Sequence, residues 1–400
     1  MDPAESIVSA SPHAVVEGGP GAALLARLHR KKADGNLSDA SNLIWSGIML
    51  ALISWVPLLV LSLVEGVALN GPKIPFFHDI AAQVRSLIAI PLLIIAEIPV
   101  GSSTRTAAGR FLTTHLVREK DLDRFDEIFA DTLRRRDSKI AEIVILLIVY
   151  LGSFLVVFKA PFQAGSTWFR PESAGLSLAG YWYVLIVIPV FQFLVYRWLY
   201  RLLLWFRCLR ALAKLDLALV PTHPDRAGGL GFLSQSLPAF GVLLFAVSSV
   251  ASATLANRIL FDGEKLADYQ YGFAVLIVVL MLFFASPLLV FTPKLLALKE
   301  NGLHQYGELA SSYNQAFQSK WLESAASRDE RLLGTGDLQS QAALESSFQV
   351  VREIRPVPIE LGDLMSMIVP GILPGLPLIL TIMPASLLLK AVLKLAQTAA

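Results

Sequence analysis

Hydrophobic and polar positions alternate along this chain in long blocks rather than at short intervals. A helix needs about 20 mostly apolar residues to cross the hydrocarbon core of a bilayer, which is roughly 30 Å thick. Six blocks meet this length: residues 43–64, 80–100, 140–158, 176–196, 237–255 and 273–291. They predict six transmembrane helices and therefore an all-α, polytopic α-helical membrane protein.

A seventh apolar block, residues 364–389, differs from the others because it contains Pro370, Pro374, Pro377 and Pro384. Membrane helices tolerate proline where neighbouring groups satisfy the freed backbone atoms. Four prolines nevertheless disfavour a straight helix. A kinked span and a re-entrant hairpin are both open, so we expect six or seven transmembrane helices.

The positive charges lie mostly on one side of these blocks. When alternate connections are grouped, one side carries 26 Lys and Arg residues and the other side five. Such an excess is typical of the cytoplasmic side. We therefore expect a cytoplasmic N-terminus, and cytoplasmic loops at residues 101–139, 197–236 and 294–363.

The chain is expected to form one folded unit preceded by a tail. Residues 1–40 are rich in small residues and end in a basic cluster, which predicts a disordered basic N-terminal tail. Residues 41–400 are predicted to form a single transmembrane domain. No internal repeat is visible in the coarse pattern, which weakens the case for an inverted-repeat transporter.

The large loops have helical patterns of their own. Apolar residues recur at mostly helical spacing within residues 110–139, which predicts an amphipathic helix. Residues 197–219 extend the fourth span with aromatic and basic side chains, as in a helix that passes through the headgroup region. Residues 294–326 and 338–354 also predict helices. Together they indicate a helical cytoplasmic layer.

Composition supports the membrane assignment and limits the partners. Charged residues make up 16% of the chain, against about 25% in soluble domains. The net charge of +2 gives no broad basic field for nucleic acid. Cys208 is the only cysteine, so no disulfide can form within the chain. The lipid bilayer is the expected partner, self-association stays open, and neither nucleic acid nor a cofactor is expected.

The densest motif is the stretch PTHPDRAGGLGF at residues 221–232. It places His223, Asp225 and Arg226 beside Gly228 and Gly229, whose freedom of φ permits a backbone nest for an anion. These residues are the candidate ligand-binding site. The alternative is a structural corner, in which Asp225 caps the backbone and Arg226 faces lipid headgroups. Turns use these residue types more often for backbone reasons than for binding.

A metal centre and a catalytic centre are both disfavoured by the spacing of the reactive residues. His115, His223 and His304 all fall on the predicted cytoplasmic side, yet no pair has a metal-binding spacing such as HxxxH. The sequence also lacks a P-loop, GxSxG and HExxH. We therefore expect no metal site and name no catalytic residue, and the pattern favours a protein without enzymatic activity.

Polar residues within or beside the spans form a second candidate feature. Ser248, Ser252 and Asn257 follow one another on the fifth span, and Glu97 lies near the end of the second. Ionisable and polar groups at membrane depth often mark an ion or substrate path. Small hydroxyl residues equally favour close packing of helices. Glu97 lies near enough to the interface to pair with an arginine of the cytoplasmic side.

Three functional hypotheses from different classes follow from these features. The first is a channel or transporter-like protein with a polar path along the fifth span. The second is a membrane-embedded enzyme or sensor that binds an anionic ligand, such as a lipid headgroup, at the loop containing His223 and Asp225. The third is a non-catalytic scaffold that acts through its cytoplasmic helices.

Three stretches of the chain together resemble one family. They are THPDRAGGLGFL, GTGDLQSQAALESSFQVVREIRPVPI and the C-terminal segment punctuated by proline. The chain from about residue 176 onwards resembles a family of predicted bacterial inner-membrane proteins without an assigned activity. The resemblance implies a location in the bacterial inner membrane. It carries no ligand and no catalytic residue to this chain.

Overall fold

The computed structural model describes residues 35–159, 166–171, 175–323 and 336–379, and these residues fold as an all-α protein. The predicted N-terminal tail lies almost wholly outside the described residues. Within the described ranges, β pairing is limited to isolated bridges between loops, such as the bridge from Val117 to Leu217. The polytopic helical membrane class expected from the apolar blocks is confirmed.

The helices are numbered in chain order. They are α1 (Gly35–Val64), α2 (Ile80–Thr113), α3 (Leu122–Arg136), α4 (Lys139–Lys159), α5 (Leu178–Leu212), α6 (Gly241–Asp262), α7 (Leu266–Ala285), α8 (Thr292–Gln318) and α9 (Gly336–Arg352). A broken helical segment, Leu361–Ile379, follows them. Among the described residues, six helices are long and apolar enough to cross a membrane: α1, α2, α5, α6 with the 3-10 turns before it, α7 continuing into α8, and the segment Leu361–Ile379.

The helix α4 covers the third predicted span and presents an apolar stripe to its surroundings. Ile140, Ile143, Leu147 and Leu151 recur at helical spacing and are each more than half exposed. A stripe of this size on a soluble protein would aggregate or bind a partner. In a membrane protein it is the surface that contacts lipid chains.

Helices α2 and α5 begin in the same way. Asp79 caps α2 by accepting the N–H of Ala82, and Ser177 caps α5 by accepting the N–H of Gly180. A π-helical turn follows in each, at Arg85–Ala89 and Tyr183–Val187. Prolines then follow at positions 91 and 189. Each pair of equivalent features is 98 residues apart, so a short parallel repeat exists that the coarse sequence pattern did not reveal.

The two repeated helix starts meet each other directly. The side chain of Arg85 contacts the hydroxyl of Tyr183, and its guanidinium lies 5.5 Å from the centre of that ring. The loops before the helices pair in parallel, because the N–H of Trp168 donates to the carbonyl of Ile74 over 2.9 Å. The Trp168 indole then donates to Asp79 over 2.8 Å. These contacts tie the starts of α2 and α5 into one layer.

A charged cluster lies inside the bundle, where α2 and α5 cross. Arg197 Nη2 is 2.6 Å from Glu97 Oε1, and Arg201 Nη2 is 3.2 Å from Glu97 Oε2. All three side chains are buried, and so are Trp198 and Trp205. The expected pairing of Glu97 with an arginine is present. The prediction that the helix at residues 197–219 faces the lipid headgroups is wrong at Arg197 and Arg201, because both side chains turn inward to the carboxylate of Glu97.

The end of the bundle where α2 and α5 finish, at Thr113 and Leu212, is called the basic end below. The single amphipathic helix expected at residues 110–139 is two helices here. His115 adopts a left-handed φ of 52°, which ends α2. The following residues then pair with the loop after α5, since the N–H of Ala218 donates to the carbonyl of Leu116 over 2.8 Å.

The loops of the basic end pack on an apolar core and beneath a helical hairpin. Phe111 of α2 contacts the rings of Phe125, Phe232 and Phe291, with ring centroids 5.2 to 6.5 Å apart. The sixth predicted span continues through a 3-10 turn into α8, which packs against α9. The helical layer expected beside the spans is therefore observed.

The proline-punctuated seventh segment packs against α6. It consists of short helical pieces: Leu361–Ser366, Ile368–Ile372, Leu373–Gly375 and Leu376–Ile379. Gly371 approaches Leu244 so closely that a Cβ there would lie 2.9 Å from its side chain. Residues 380–400 lie outside the described residues, and with them the choice between a full crossing and a hairpin.

Candidate functional site

The loop at residues 221–232 is organised around the carboxylate of Asp225. Oδ1 accepts the N–H groups of Ala227 and Gly229 over 2.9 and 3.1 Å, and Oδ2 accepts the N–H of Gly231 over 2.8 Å. Burial raises the pKa of Asp225, but the three backbone N–H groups outweigh this and hold the pKa below its ordinary value. Asp225 is thus the ionised centre of the loop, and it fills the capping role of the structural alternative.

The imidazole of His223 lies against the same carboxylate. His223 Nδ1 is 2.8 Å from Asp225 Oδ1. The backbone N–H of Asp225 also points to Nδ1 over 3.3 Å, so this nitrogen is engaged within the loop on both sides. The side chain of His223 is 42% exposed, so it is oriented from one side and open to solvent on the other.

The tight path of the loop requires backbone conformations that most residues avoid. Gly228 and Gly229 have φ values of 64° and 99°, and Arg226 has a φ of 53°. A Cβ on Gly228 would lie 2.6 Å from the side chain of Leu298 in α8. Gly228 therefore serves the close approach to α8, and Gly229 serves the geometry around Asp225.

A second chain segment closes the other side of the loop. The backbone N–H of Arg355 donates to the carbonyl of Arg226 over 2.8 Å, and its guanidinium donates to the carbonyl of Asp225 over 2.7 Å. Arg226 Nε is 3.2 Å from Glu353 Oε2. The segment after α9 is therefore joined to the loop by both backbone and side chains.

Between these elements and the end of α2 lies an open cleft of about 600 Å³, called the loop cleft below. It is lined by Arg110, Thr113, Thr114, His223, Pro224, Asp225, Arg226, Gly229, Gly231, Phe232, Gln235, Glu353, Arg355 and Glu360. Arg110 donates to the side-chain oxygen of Gln235 over 2.7 Å. Two of the three arginines of the loop cleft, Arg110 and Arg355, are thus held by neutral acceptors, which orient their charge without cancelling it.

Of the predicted ligand-binding residues, His223, Asp225, Arg226 and Gly229 line the loop cleft, whereas Gly228 turns toward α8. Sequence reasoning missed Arg110, Gln235, Glu353 and Arg355 as partners of the loop. One signal for two of them was available. Glu353 and Arg355 both lie in the stretch GTGDLQSQAALESSFQVVREIRPVPI, one of the three stretches on which the resemblance to a family was based.

The residues of the predicted polar path are buried or partly buried, and the side chain of each forms hydrogen bonds or ion pairs. Ser252 donates to the carbonyl of Pro374 over 2.5 Å. Asn257 donates to Asp79 over 2.7 Å and accepts the N–H of Ile80 over 3.0 Å. Ser248 donates to the carbonyl of Phe245 within its own helix. With Glu97 in its ion pairs, these contacts are those of packed helices.

The histidines are not brought together. His223 lines the loop cleft, while His304 lines a separate cavity on α8 with Leu303 and Gly307. His115 ends α2 through its backbone conformation. Across the described ranges, no group of three or more His, Cys, Asp or Glu side chains is arranged to hold a metal ion.

The loop cleft therefore combines an oriented imidazole, two guanidinium groups held by neutral acceptors and a third paired with a glutamate, beside the end of an apolar helical bundle. These groups are suited to bind and orient a small anion. Comparison with models of protein families, with curated proteins and with solved structures found no match to this chain.

Proposed function

We propose that this protein is a multi-pass membrane protein that binds a small anionic ligand in the loop cleft and acts as a sensor or an enzyme on it. The observation that carries the proposal is the convergence of His223, Arg110 and Arg355 on one open cleft of about 600 Å³. Guanidinium and imidazole groups recognise phosphate and carboxylate through charge-assisted hydrogen bonds. The ligand class is therefore a phosphate- or carboxylate-bearing molecule.

The acidic residues of the loop cleft leave room for such a ligand. Both oxygens of Asp225 are engaged by backbone N–H groups, and Glu353 is paired with Arg226. Glu360 is exposed, so solvent screens its charge. The groups still able to bind are mainly donors, which favours an anion over a cation.

The location of the site follows from the charge asymmetry of the chain. We place the basic end, and with it the loop cleft, on the cytoplasmic side of a bacterial inner membrane, with the N-terminus on the same side. The support is the excess of Lys and Arg in the connections of that end and the family resemblance. A protease-protection assay on inverted membrane vesicles tests the orientation.

The channel or transporter hypothesis has weaker support. Its polar residues Ser252, Asn257 and Glu97 are bonded to Pro374, Asp79 and the arginines of α5. A hydrated path would have to break these contacts. The scaffold hypothesis leaves the oriented imidazole of the loop cleft without a use.

The test of the proposal is calorimetric titration of the detergent-solubilised full chain with glycerol 3-phosphate, and separately with acetate, at constant ionic strength. We expect one of these anions to bind. We expect H223Q and R110Q each to weaken that binding about tenfold or more, equivalent to roughly 1.4 kcal/mol per tenfold. R134Q, which removes an exposed arginine of α3 outside the loop cleft, is the matched control.

Two results would overturn the proposal. One is that neither anion binds the wild-type chain. The other is that H223Q and R110Q bind as the wild type does, which would place the binding site elsewhere.

A further inference from the structure

A second cleft opens on the basic end, between the amphipathic helix α3 and the last turns of α5. It has a volume of about 440 Å³ and is called the α3–α5 cleft below. It is lined by Arg124, Glu127, Ile128, Asp131, Thr132, Arg207, Cys208, Arg210, Ala211, Lys214 and Leu215. It shares no lining residue with the loop cleft, so its role is independent of the proposed function.

The α3–α5 cleft carries more positive than negative charge. Four cations line it, Arg124, Arg207, Arg210 and Lys214, against the two carboxylates Glu127 and Asp131. Asp131 is held by Arg135 on its own helix over 2.8 Å, whereas Arg207 lies 3.9 Å from it. Within the described part of the chain, Arg124, Arg210 and Lys214 are exposed and form no ion pair or hydrogen bond through their side chains. These three cations are available to an external anion.

The helix α5 presents a graded stripe toward this cleft. Tyr196, Tyr200, Leu203, Arg207, Arg210 and Lys214 follow one another at intervals of three or four residues, and so lie on one face of α5 and of the turn that follows it. Tyr196 and Leu203 are 36% and 55% exposed. The stripe therefore changes from aromatic and apolar to basic as it approaches the basic end.

The cleft is held in shape by contacts that use none of the three available cations. The hydroxyl of Tyr200 donates to the carbonyl of Arg135 over 2.6 Å, which joins the end of α3 to α5. Phe125 and Phe129, with ring centroids 4.7 Å apart, anchor the buried face of α3. Cys208 and Thr132 form a buried floor. Neutralising the cations should leave this frame intact.

We propose that the α3–α5 cleft is a binding site for the headgroup of an anionic phospholipid, with the lipid chains along the exposed apolar part of the α5 stripe. A phosphodiester has one negative charge that several cations can share, and its chains lie on the apolar side of it. Along α5 the apolar Leu203 comes before the basic Arg207 and Lys214, just as the acyl chains of a lipid lie to one side of its charged headgroup. A soluble acidic partner would need the charge but not the exposed Leu203 beside it.

We expect this site to select lipids by the charge of the headgroup rather than by the acyl chains. Basic segments next to membrane helices attract anionic lipids, and each cation near the surface adds to that attraction. We expect phosphatidylglycerol to be retained in preference to phosphatidylcholine, which has the same chains and no net charge.

The experiment uses the full chain reconstituted in nanodiscs of phosphatidylcholine and phosphatidylglycerol, followed by native mass spectrometry of the lipids that stay bound. The wild type should retain phosphatidylglycerol. R210Q/K214Q should retain about 30-fold less, which is the fold-change for roughly 2 kcal/mol from two surface cations. The matched control is K265Q/R352Q, which removes the same charge from exposed positions outside the cleft and should behave as the wild type.

Three outcomes would overturn the proposal. Equal retention of both lipids by the wild type removes the selectivity, and equal loss in the control variant shows a diffuse charge effect. Binding of a soluble polyglutamate peptide that depends on Arg210 and Lys214 without lipid selectivity would assign the cleft to a protein partner. The variants H223Q and R110Q should leave lipid retention unchanged, so failure of this proposal and failure of the loop-cleft proposal are distinguishable.

Discussion

The loop at residues 221–232 and the predicted polar path both contain polar residues at prominent positions, but the structure uses them differently. The path residues Ser252 and Glu97 are buried and Asn257 is partly buried, and their partners belong to other segments of the bundle. In the loop, Asp225 is satisfied by backbone, while His223 and Arg110 remain open to a cleft. A polar side chain in a membrane protein is therefore informative mainly through what remains unsatisfied after packing.

The largest effect that tests this comparison is expected at Glu97. In Glu97→Ala, the buried guanidinium groups of Arg197 and Arg201 lose their carboxylate. Loss of one partner from a buried ion pair costs about 3–5 kcal/mol of unfolding free energy. Denaturant unfolding in mixed micelles measures this, with the exposed Glu127→Ala as control. A cost below about 1 kcal/mol would show that Glu97 is hydrated, as a transport path requires.

The next effect is expected at Asp225. In Asp225→Ala, three backbone N–H groups lose their acceptor, and each such group left buried and unpaired costs roughly 1–3 kcal/mol. The control is Asp216→Ala, because Asp216 lies in exposed ion pairs with Arg118 and Lys120, which are worth about 0–1 kcal/mol. Equal losses in the two variants would contradict the central role given to Asp225.

The unfolding free energy at low pH should also depend on the carboxylate of Asp225. The pKa of Asp225 is lowered by folding, so the unfolded chain takes up the proton at a higher pH than the folded chain. The stability from Asp225 is complete above its ordinary pKa of about 3.9 and is lost as the pH falls through the lowered value. Unfolding free energies measured through this window should fall more steeply for the wild type than for Asp225→Ala. Parallel curves would be evidence against an ionised Asp225.

The smallest effects on stability separate the two regions most sharply. Ser252→Ala should cost about 1 kcal/mol, the net value of one hydrogen bond, and should leave anion binding unchanged. His223→Gln should change stability by about 0.5 kcal/mol or less and should weaken anion binding. Thermal unfolding and calorimetric titration of both variants check this. The reverse pattern would exchange the roles of the loop and the path.

The spans could be predicted from the sequence because an apolar run of sufficient length is a local signal. The capping role of Asp225 was also within reach, since Asp beside Gly commonly binds nearby backbone. The end of α2 could not be predicted in this way, because the residue in the left-handed conformation is His115 rather than a glycine. Burial of Arg197 and Arg201 was missed for a different reason, since their partner Glu97 lies about 100 residues away.

The loop cleft shows the same limit. Arg355 reaches Asp225 across 130 residues of chain, and no spacing within one helix encodes such a contact. The sequence could not decide between transport and packing for the polar path, because Pro374, the partner of Ser252, is also distant in the sequence. Local pattern therefore identified the loop and the helices, and the tertiary fold decided which side chains share a site.

The direction in which the later side chains of α2 point depends on the number of residues in the π-helical turn Arg85–Ala89. A π-helical turn holds one residue more than regular α-helix, and each residue of an α-helix advances the direction of a side chain by about 100°. Deleting one residue of this turn would allow α2 to become regular and would rotate Glu97 out of register with Arg197 and Arg201. The extra residue thus acts as a spacer that sets the angular alignment of the buried charges, and Tyr183–Val187 holds the equivalent place in α5.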